Sequence, residues 1–409
     1  MNYPKKKILF HLTNPPIPAD SGAKARDLGT LKYFNYRKDF FTVDVVSANS
    51  FNDAIWNLEQ SQEVLKFVDN FYLYSGEHNL LDFWYSRLQS FYYQNLLRQQ
   101  LPVDTDYFTP PGYVKFFQRL ISQDKYDSIW INHLENAHLV VNSNLQAHTI
   151  IDMHDLLCDL RLARKDFFPL KGLKFDYEAN FDKEVKLLNR FNNIVACSHQ
   201  ELEKIYPVVT PKIHLIPHLS TDLDSTSNTT PYSMREFKYD LLFIGTNYQL
   251  NADGINFFLK QIVPKIISQK PDLRLVIVGK VAELIQVDPS FAQNVICTGY
   301  VSDLAELYLQ SRVVICPLLD GSGTKVKLLE AIAYAMPIVT TTTGAAGISL
   351  QDGIDAFITD DPELYAQRTL NLLKEPKLAQ KISEAVAMTF ESEYSKSAVY
   401  SKLDAMFGI

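Results

Sequence analysis

The chain is poor in the features that several protein classes need. Only 4 of its 409 residues are cysteine, and Cys158, Cys197, Cys297 and Cys316 are widely spaced, with no CxxC pair and no histidine-rich partner. That excludes a disulfide framework and makes a zinc site unexpected. Cys197, Cys297 and Cys316 lie in or beside the apolar runs NIVACS, NVICTG and VVICPL, so they are expected as buried free thiols of a reducing compartment. No apolar stretch approaches the ~20 residues that a spanning helix needs. The run after the N-terminal lysines ends at Pro15 and Pro16, too short for a signal-peptide core, so the expected location is cytoplasmic. Positive charge is not in excess either: the formal net charge is −7, which removes any bulk attraction to nucleic acid. The GxxxxGK[ST] loop, the GxGxxG fingerprint and the GxSxG elbow are all missing. Ser198 in ACSHQEL reads instead as a helix N-cap, with Glu201 completing a capping box.

What is present is the balance of a globular protein, 46% hydrophobic and 21% charged. A chain of this length fits two domains better than one core. Short apolar runs alternate with longer amphipathic segments. KKKILFHLT, FTVDVVSA, YDSIWINHL, HTIIDMHD, NNIVACS and KIHLIPHL come first; YDLLFIGT, LRLVIVGK, NVICTGYV, RVVICPLL and MPIVTTT follow. Several are continuous rather than alternating, as in parallel strands covered on both faces. Helical patterns lie between them, around Glu178–Asn192, Gly254–Gln269 and Glu391–Phe407. This alternation predicts an α/β architecture of doubly wound parallel sheets. The polar segment Thr221–Glu236 is the expected boundary, separating residues 1–222 from residues 236–388.

Residues 80–120 depart from the pattern, being dense in aromatics and carrying Arg87, Arg98, Lys115 and Arg119. Such a segment is expected as two helices packed on the first domain and linked by Pro110–Pro111, with a membrane surface or a greasy acceptor as the alternative.

The strongest chemical signal is Arg312–Ile348. A buried-type strand ends at Pro317, a Gly-Ser-Gly-Thr turn follows, and a helix begins near Lys325. Gly321 and Gly323 let the backbone approach a ligand, and the helix start offers unpaired N–H groups and a positive dipole end. Lys325 and Lys327 add charge beside that spot, and Glu330 can accept hydrogen bonds from two adjacent hydroxyls, as a ribose presents. Together these suit a nucleotide diphosphate attached to a sugar; a plain glycine-rich connection is the alternative.

The run GSGTKVKLLEAIAYAMPIVTTTTGAAGI resembles the donor-site signature of glycosyltransferase family 4, and PPIPADSGAKARDL, IIDMHDL, KIHLIPHLSTD and YDLLFIGTNYQLNADGINFF match in family order. The resemblance implies the GT-B fold, two Rossmann-like domains facing a central cleft, with a C-terminal crossover helix at 389–409 returning to the first. It implies that Gly22 approaches the donor phosphate and that His154 faces the transferred sugar. Gly245 and Thr246 would lie near the diphosphate, Tyr300 and Val301 would hold the base, and Gly323, Thr324 and Lys327 would form the phosphate turn beside Ser322 and Lys325. Glu330 would bind the ribose hydroxyls. His133 competes with His154 for the catalytic position, since both end a predicted parallel strand. Two positions depart from the family: Ser322 replaces a sugar-contacting glutamate, and Asn247 and Asn251 stand where an Arg and a Lys are usual. The missing charge would come from Lys325 and Lys327, with Lys24 or Arg26.

The implied activity is retaining transfer of a sugar from a nucleotide-sugar donor to a glycan or lipid-linked acceptor, in cell-surface polysaccharide synthesis. That pathway would bring the protein to the inner membrane face as a peripheral contact. No metal and no cofactor are expected, because Asp104–Asp106 and Asp222–Asp224 read as solvated turn residues rather than a metal motif. A sugar-nucleotide epimerase and a non-catalytic nucleotide-sugar-binding subunit are the alternatives.

Overall fold

The structure, a computed structural model, describes residues 4–49, 55–141, 145–165, 170–218, 230–321 and 323–409. Its contacts divide the chain into two units, Met1–Thr221 with Lys402–Ile409, and Asp222–Ser401.

Among the described residues, the first unit holds seven strands: β1 (Lys6–His11), β2 (Phe41–Asn49), β3 (Asn70–Ser75), β4 (Ser128–Asn132), β5 (His148–Asp152), β6 (Asn193–Ala196) and β7 (Lys212–Leu215). They form one parallel sheet in the order β3-β2-β1-β4-β5-β6-β7, with Ile8 opposite both Val43 and Ser128. The second unit holds β8 (Tyr239–Ile244), β9 (Leu275–Val278), β10 (Val295–Gly299), β11 (Ser311–Cys316), β12 (Ile338–Thr340) and β13 (Phe357–Ile358), parallel in the order β10-β9-β8-β11-β12-β13. In both sheets the chain order reverses direction beside the first strand, and ligands of open α/β sheets bind at the carboxyl ends of strands near such a reversal. The continuous apolar runs fill the cores: Ile8, Leu9, Phe10, Ile129 and Ile151 in one unit, Leu241, Leu242, Phe243, Ile277 and Ile315 in the other.

Several expectations need correction. β3 and β13 have no strong sequence signal: β3 is an edge strand of mixed burial reading NFYLYS, and β13 has two residues. Cys297 is exposed rather than buried, because β10 is the edge of its sheet, whereas Cys158 is buried with Cys197 and Cys316. The helix expected over 254–269 starts earlier, at Gln249, and passes through a π-helical turn at Phe258–Ile262. Pro264 lies just beyond, where its missing N–H and its ring disturb the regular ladder. The final helix is broken too, since Ser395 adopts extended backbone after the turn Phe390–Tyr394. Its hydroxyl then accepts from Ala398 N at 3.2 Å, capping the helix Lys396–Phe407. Pro110 and Pro111 do not link two helices; they stand at the N-cap and first turn of the helix Pro111–Gln123.

Candidate functional site

In the second unit, loops from the carboxyl ends of β8, β9 and β10 are tied together. Gly279, at φ +100°, donates its N–H to Gly299 O at 2.6 Å, and a Cβ on it would meet Gly245 O at 2.2 Å. Only glycine fits there. Gly245 itself is buried, and Val281 N donates to its carbonyl at 3.3 Å.

The turn after β11 leads into the helix Val326–Ala333, with Lys325 at its N-cap and no side chain bonded across that cap. The first amides of this helix therefore keep their donors for something else. Gly321 (φ +128°) and Gly323 (φ +73°) take conformations that a side chain disfavours. Lys325 is buried, and its ammonium donates to Gly321 O at 3.1 Å and Gly323 O at 2.6 Å, so it braces the turn from within. A Cβ on Gly347 would come within 3.2 Å of Thr324, which packs the turn from the other side. Ser322 lies outside the described residues.

Lys327 is half-buried over the Phe243 ring, 4.9 Å from its centroid, and donates to Asn251 Oδ1 at 2.6 Å. Asn251 in turn donates to Thr246 O at 3.2 Å. This chain of contacts brings Gly245, Thr246 and Lys327 to one place, and it gives Asn251 a role that spacing could not reveal. Burial lowers the pKa of Lys327, with Cys316 and Glu330 opposing. Just over one turn into the helix, Glu330 accepts from Tyr308 Oη at 3.0 Å through Oε2. Its other carboxylate oxygen receives no hydrogen bond from a described residue. Burial raises the Glu330 pKa, against the pull of Tyr308 and Lys327. Tyr308 was not singled out by the sequence; a lone tyrosine in AELYLQ carries no signal. Tyr300, in contrast, is 76% exposed just past β10, and no described contact joins it to the turn. Val301 beside it is half-buried.

The first unit gathers a second cluster. His133 and His154 follow β4 and β5, both at positive φ (62° and 60°), a region that non-glycine residues seldom occupy. Their rings stack with centroids 3.9 Å apart. His154 Nε2 lies 3.5 Å from Asp27 Oδ1 and 3.4 Å from Asn132 Oδ1, whereas its Nδ1 is buried without a partner. Burial holds both rings neutral, lowering His133 to about 3 and His154 to about 4. Burial likewise raises Asp27 to about 8.

Gly22 opens the helix Gly22–Tyr36, capped by Ser21 Oγ accepting from Lys24 N at 3.4 Å. Arg26 does not present its charge: it is buried, with Nε 2.9 Å from Asp152 Oδ2 and Nη1 donating to Ile216 O at 2.9 Å. Lys24 pairs with Asp20 at 2.8 Å. Asp104 does lie in a turn, its side chain 40% exposed and paired with Lys183 at 3.0 Å, whereas Asp106 is half-buried and accepts from Tyr85 Oη at 2.6 Å. Asp222–Asp224 lies outside the described residues, among which no three His, Cys, Asp or Glu side chains gather as metal ligands. Ser198 caps its helix as expected, by accepting from Glu201 N at 3.2 Å, and the Glu201 carboxylate reaches back to accept from Cys197 N at 3.0 Å.

Residues 238–375 match the family described as "Glycosyl transferases group 1". An uncharacterized 44.6 kDa protein in the cps region of Klebsiella pneumoniae is 26% identical over 187 residues, 42% of this chain. The match spans only 48% of that relative's length. Sucrose-phosphate synthase from Thermosynechococcus elongatus superposes over 99% of this chain and 98% of its own, with a TM-score of 0.63 at 13% identity. Anabaena HepE, solved in complex with UDP, does so over 98% and 99%, with a TM-score of 0.64 at 13% identity. The two parallel sheets superpose end to end on these solved structures, which gives this chain the GT-B fold, and residues 238–375 within it are similar to the group 1 glycosyl transferases.

Proposed function

We propose that the protein is a retaining, metal-independent glycosyltransferase that moves a sugar from a nucleotide-sugar donor to a glycan or lipid-linked acceptor in cell-surface polysaccharide synthesis. One observation carries the reading: the braced turn Gly321–Lys325, the open helix start with Lys327 beside it, and the free carboxylate oxygen of Glu330 lie in sequence along one segment. They supply amides and a cation for a diphosphate and an acceptor for ribose hydroxyls. Anabaena HepE was solved with UDP, which makes a uridine nucleotide the first donor to try. The cps-region relative supports the polysaccharide context.

Catalysis would rest on placing the donor and stabilising the departing diphosphate. Acceptor attack on the face that the diphosphate leaves, with a donor phosphate oxygen taking the acceptor proton, retains configuration without a nucleophilic carboxylate. His154 Nδ1, buried and unpaired, would bond a hydroxyl of the transferred sugar, with His133 packed behind it.

A peripheral membrane contact belongs to the same reading. No helix among the described residues is long and apolar enough to cross a membrane. Yet the helix Leu80–Ser90 and the π-helical turn Phe91–Leu96 expose Leu81 at 82%, Trp84 at 59% and Leu88 at 63%. Arg87 and Arg98 are exposed nearby, whereas Asp82, the acidic residue of this stretch, is buried. An apolar face with cationic flanks fits an anionic bilayer.

The decisive experiment is calorimetric titration with UDP, GDP and ADP and their sugar conjugates, followed by incubation of the bound donor alone. Binding of at least one series is expected, with the donor unchanged until an acceptor is added. Conversion of the donor alone would indicate an epimerase, and no binding in any series would overturn the reading.

A further inference from the structure

The carboxyl ends of β1, β2 and β3 frame a pocket of about 60 Å³ in the first unit, closed on its far side by the helix Leu80–Ser90 and the loop before Pro111. Two polar atoms in its lining are buried and unpaired: His11 Nδ1 and Tyr113 Oη. Both side chains are 2% exposed, and their ring centroids lie 6.3 Å apart. Buried polar groups are nearly always hydrogen-bonded, so two orphans at one pocket mark a place where water or a ligand supplies the partners.

The walls are built to hold that shape. Tyr74 stacks on Tyr113 with centroids 5.4 Å apart, and its hydroxyl donates to Asp82 Oδ2 at 2.7 Å. Asp82 Oδ1 accepts from Gly112 N at 2.9 Å. A Cβ at Gly112 would sit 2.2 Å from the Tyr74 hydroxyl, so this network depends on a glycine there. On the opposite wall Asn136 donates to Thr13 Oγ1 at 3.1 Å and to Asn132 O at 3.0 Å. Phe83 and Phe108 supply apolar surface.

Charge narrows the occupant. Among the described residues that line the pocket there is no Lys or Arg, and the one formal charge is the Asp82 carboxylate. Burial, with His133 adding to it, lowers His11 to about 3 and keeps that ring neutral. A phosphate or carboxylate would find no counter-charge here. A water needs roughly 10–15 Å³, so the space suits one edge of a ring and not an oligosaccharide. Aromatic walls with a few fixed polar groups are the usual make-up of a site for a small, partly apolar ligand. We propose that this pocket holds the edge of an uncharged sugar ring of the acceptor, with hydroxyls bonded to His11 and Tyr113, and that it rejects phosphorylated or uronic acid residues. The assignment of the ligand as acceptor rests on the glycosyltransferase reading.

The test titrates the full chain with uncharged methyl glycosides (glucoside, galactoside, mannoside and N-acetylglucosaminide) and with methyl glucuronide, by saturation-transfer and chemical-shift NMR. At least one uncharged glycoside should bind at millimolar concentration and the glucuronide should not. Tyr113→Phe should weaken that glycoside by about tenfold, the worth of one hydrogen bond. The same change should raise the thermal midpoint of the ligand-free protein, because it deletes an unpaired buried hydroxyl, and should leave nucleotide binding in the second unit unaltered. A hydroxyl with a merely structural role would lower the midpoint on removal. Absence of binding by every uncharged glycoside, equal binding of the glucuronide, or an unchanged affinity in Tyr113→Phe would overturn the proposal. Nucleotide binding measured on the same sample keeps the two readings apart: nucleotides without glycosides would sink only the pocket, and glycosides without nucleotides only the donor site.

Discussion

His133 and His154 stack at 3.9 Å between ring centroids, each at the end of a neighbouring parallel strand and each with a left-handed φ. Two like bases this close cannot both take a proton cheaply, and burial already disfavours the first.

Stability should therefore peak near neutrality. Burial lowers His11, His133 and His218 to about 3 and His154 to about 4 from 6.5, so below 6.5 the unfolded chain binds more protons than the native one. Linkage then makes stability rise with pH up to about 6.5. Burial raises Asp27 to about 8 and Glu201 to about 7, so there the native state binds the extra proton and stability falls as pH rises. The four histidines outweigh the two carboxyls on the acid side, and the carboxyls act alone above it. Thermal midpoints read across this range should show a maximum, and Asp27→Asn should flatten the alkaline limb. A midpoint that climbs steadily through pH 8 would contradict this account.

Glu330 and Lys327 should separate by ligand. Glu330→Ala should cost a nucleoside diphosphate about tenfold to a hundredfold in Kd, the range of hydrogen bonds to a charged group. Pyrophosphate, which lacks the ribose, should bind the variant as it binds the wild type. Tyr308→Phe should show a smaller loss, since it frees the carboxylate that the phenol holds at 3.0 Å. Equal losses for both ligands would assign Glu330 to the fold rather than to a ribose.

Lys327→Met should weaken nucleoside diphosphate and pyrophosphate alike by about tenfold, and the gap from wild type should narrow as salt screens the lost charge. The thermal midpoint should hold or rise, because a half-buried ammonium with a lowered pKa costs desolvation in the empty site. A gap that widens with salt would argue against a phosphate contact.

Leu88→Glu combined with Trp84→Ser should abolish co-sedimentation with vesicles containing anionic lipid while leaving nucleotide affinity intact. Both side chains are largely exposed, so folding should not suffer. Wild-type protein that stays in the supernatant with anionic and neutral vesicles alike would remove the membrane face.

Periodicity and continuous apolar runs made eleven of the thirteen described strands legible, because fully buried parallel strands write an unbroken signal. β3 and β13 were not, being an edge strand of mixed burial and a two-residue pairing. The turn at Gly321–Glu330 was legible since glycine, lysine and glutamate spacing is local. What escaped is contact across sequence distance: Tyr308 against Glu330, Asn251 between Thr246 and Lys327, and Arg26 committed to Asp152 rather than offered to a ligand. Polar side chains of those types occur everywhere, and only the fold says which face which. His11 and Tyr113 escaped for the same reason.

The edge position of β10 has a practical consequence. Of the four cysteines, three are buried and Cys297 alone meets solvent, close in sequence to Tyr300. A thiol-directed fluorophore would therefore attach at one place without any engineering. It would turn the end of β10 into an optical reporter, readable in real time and on the native sequence.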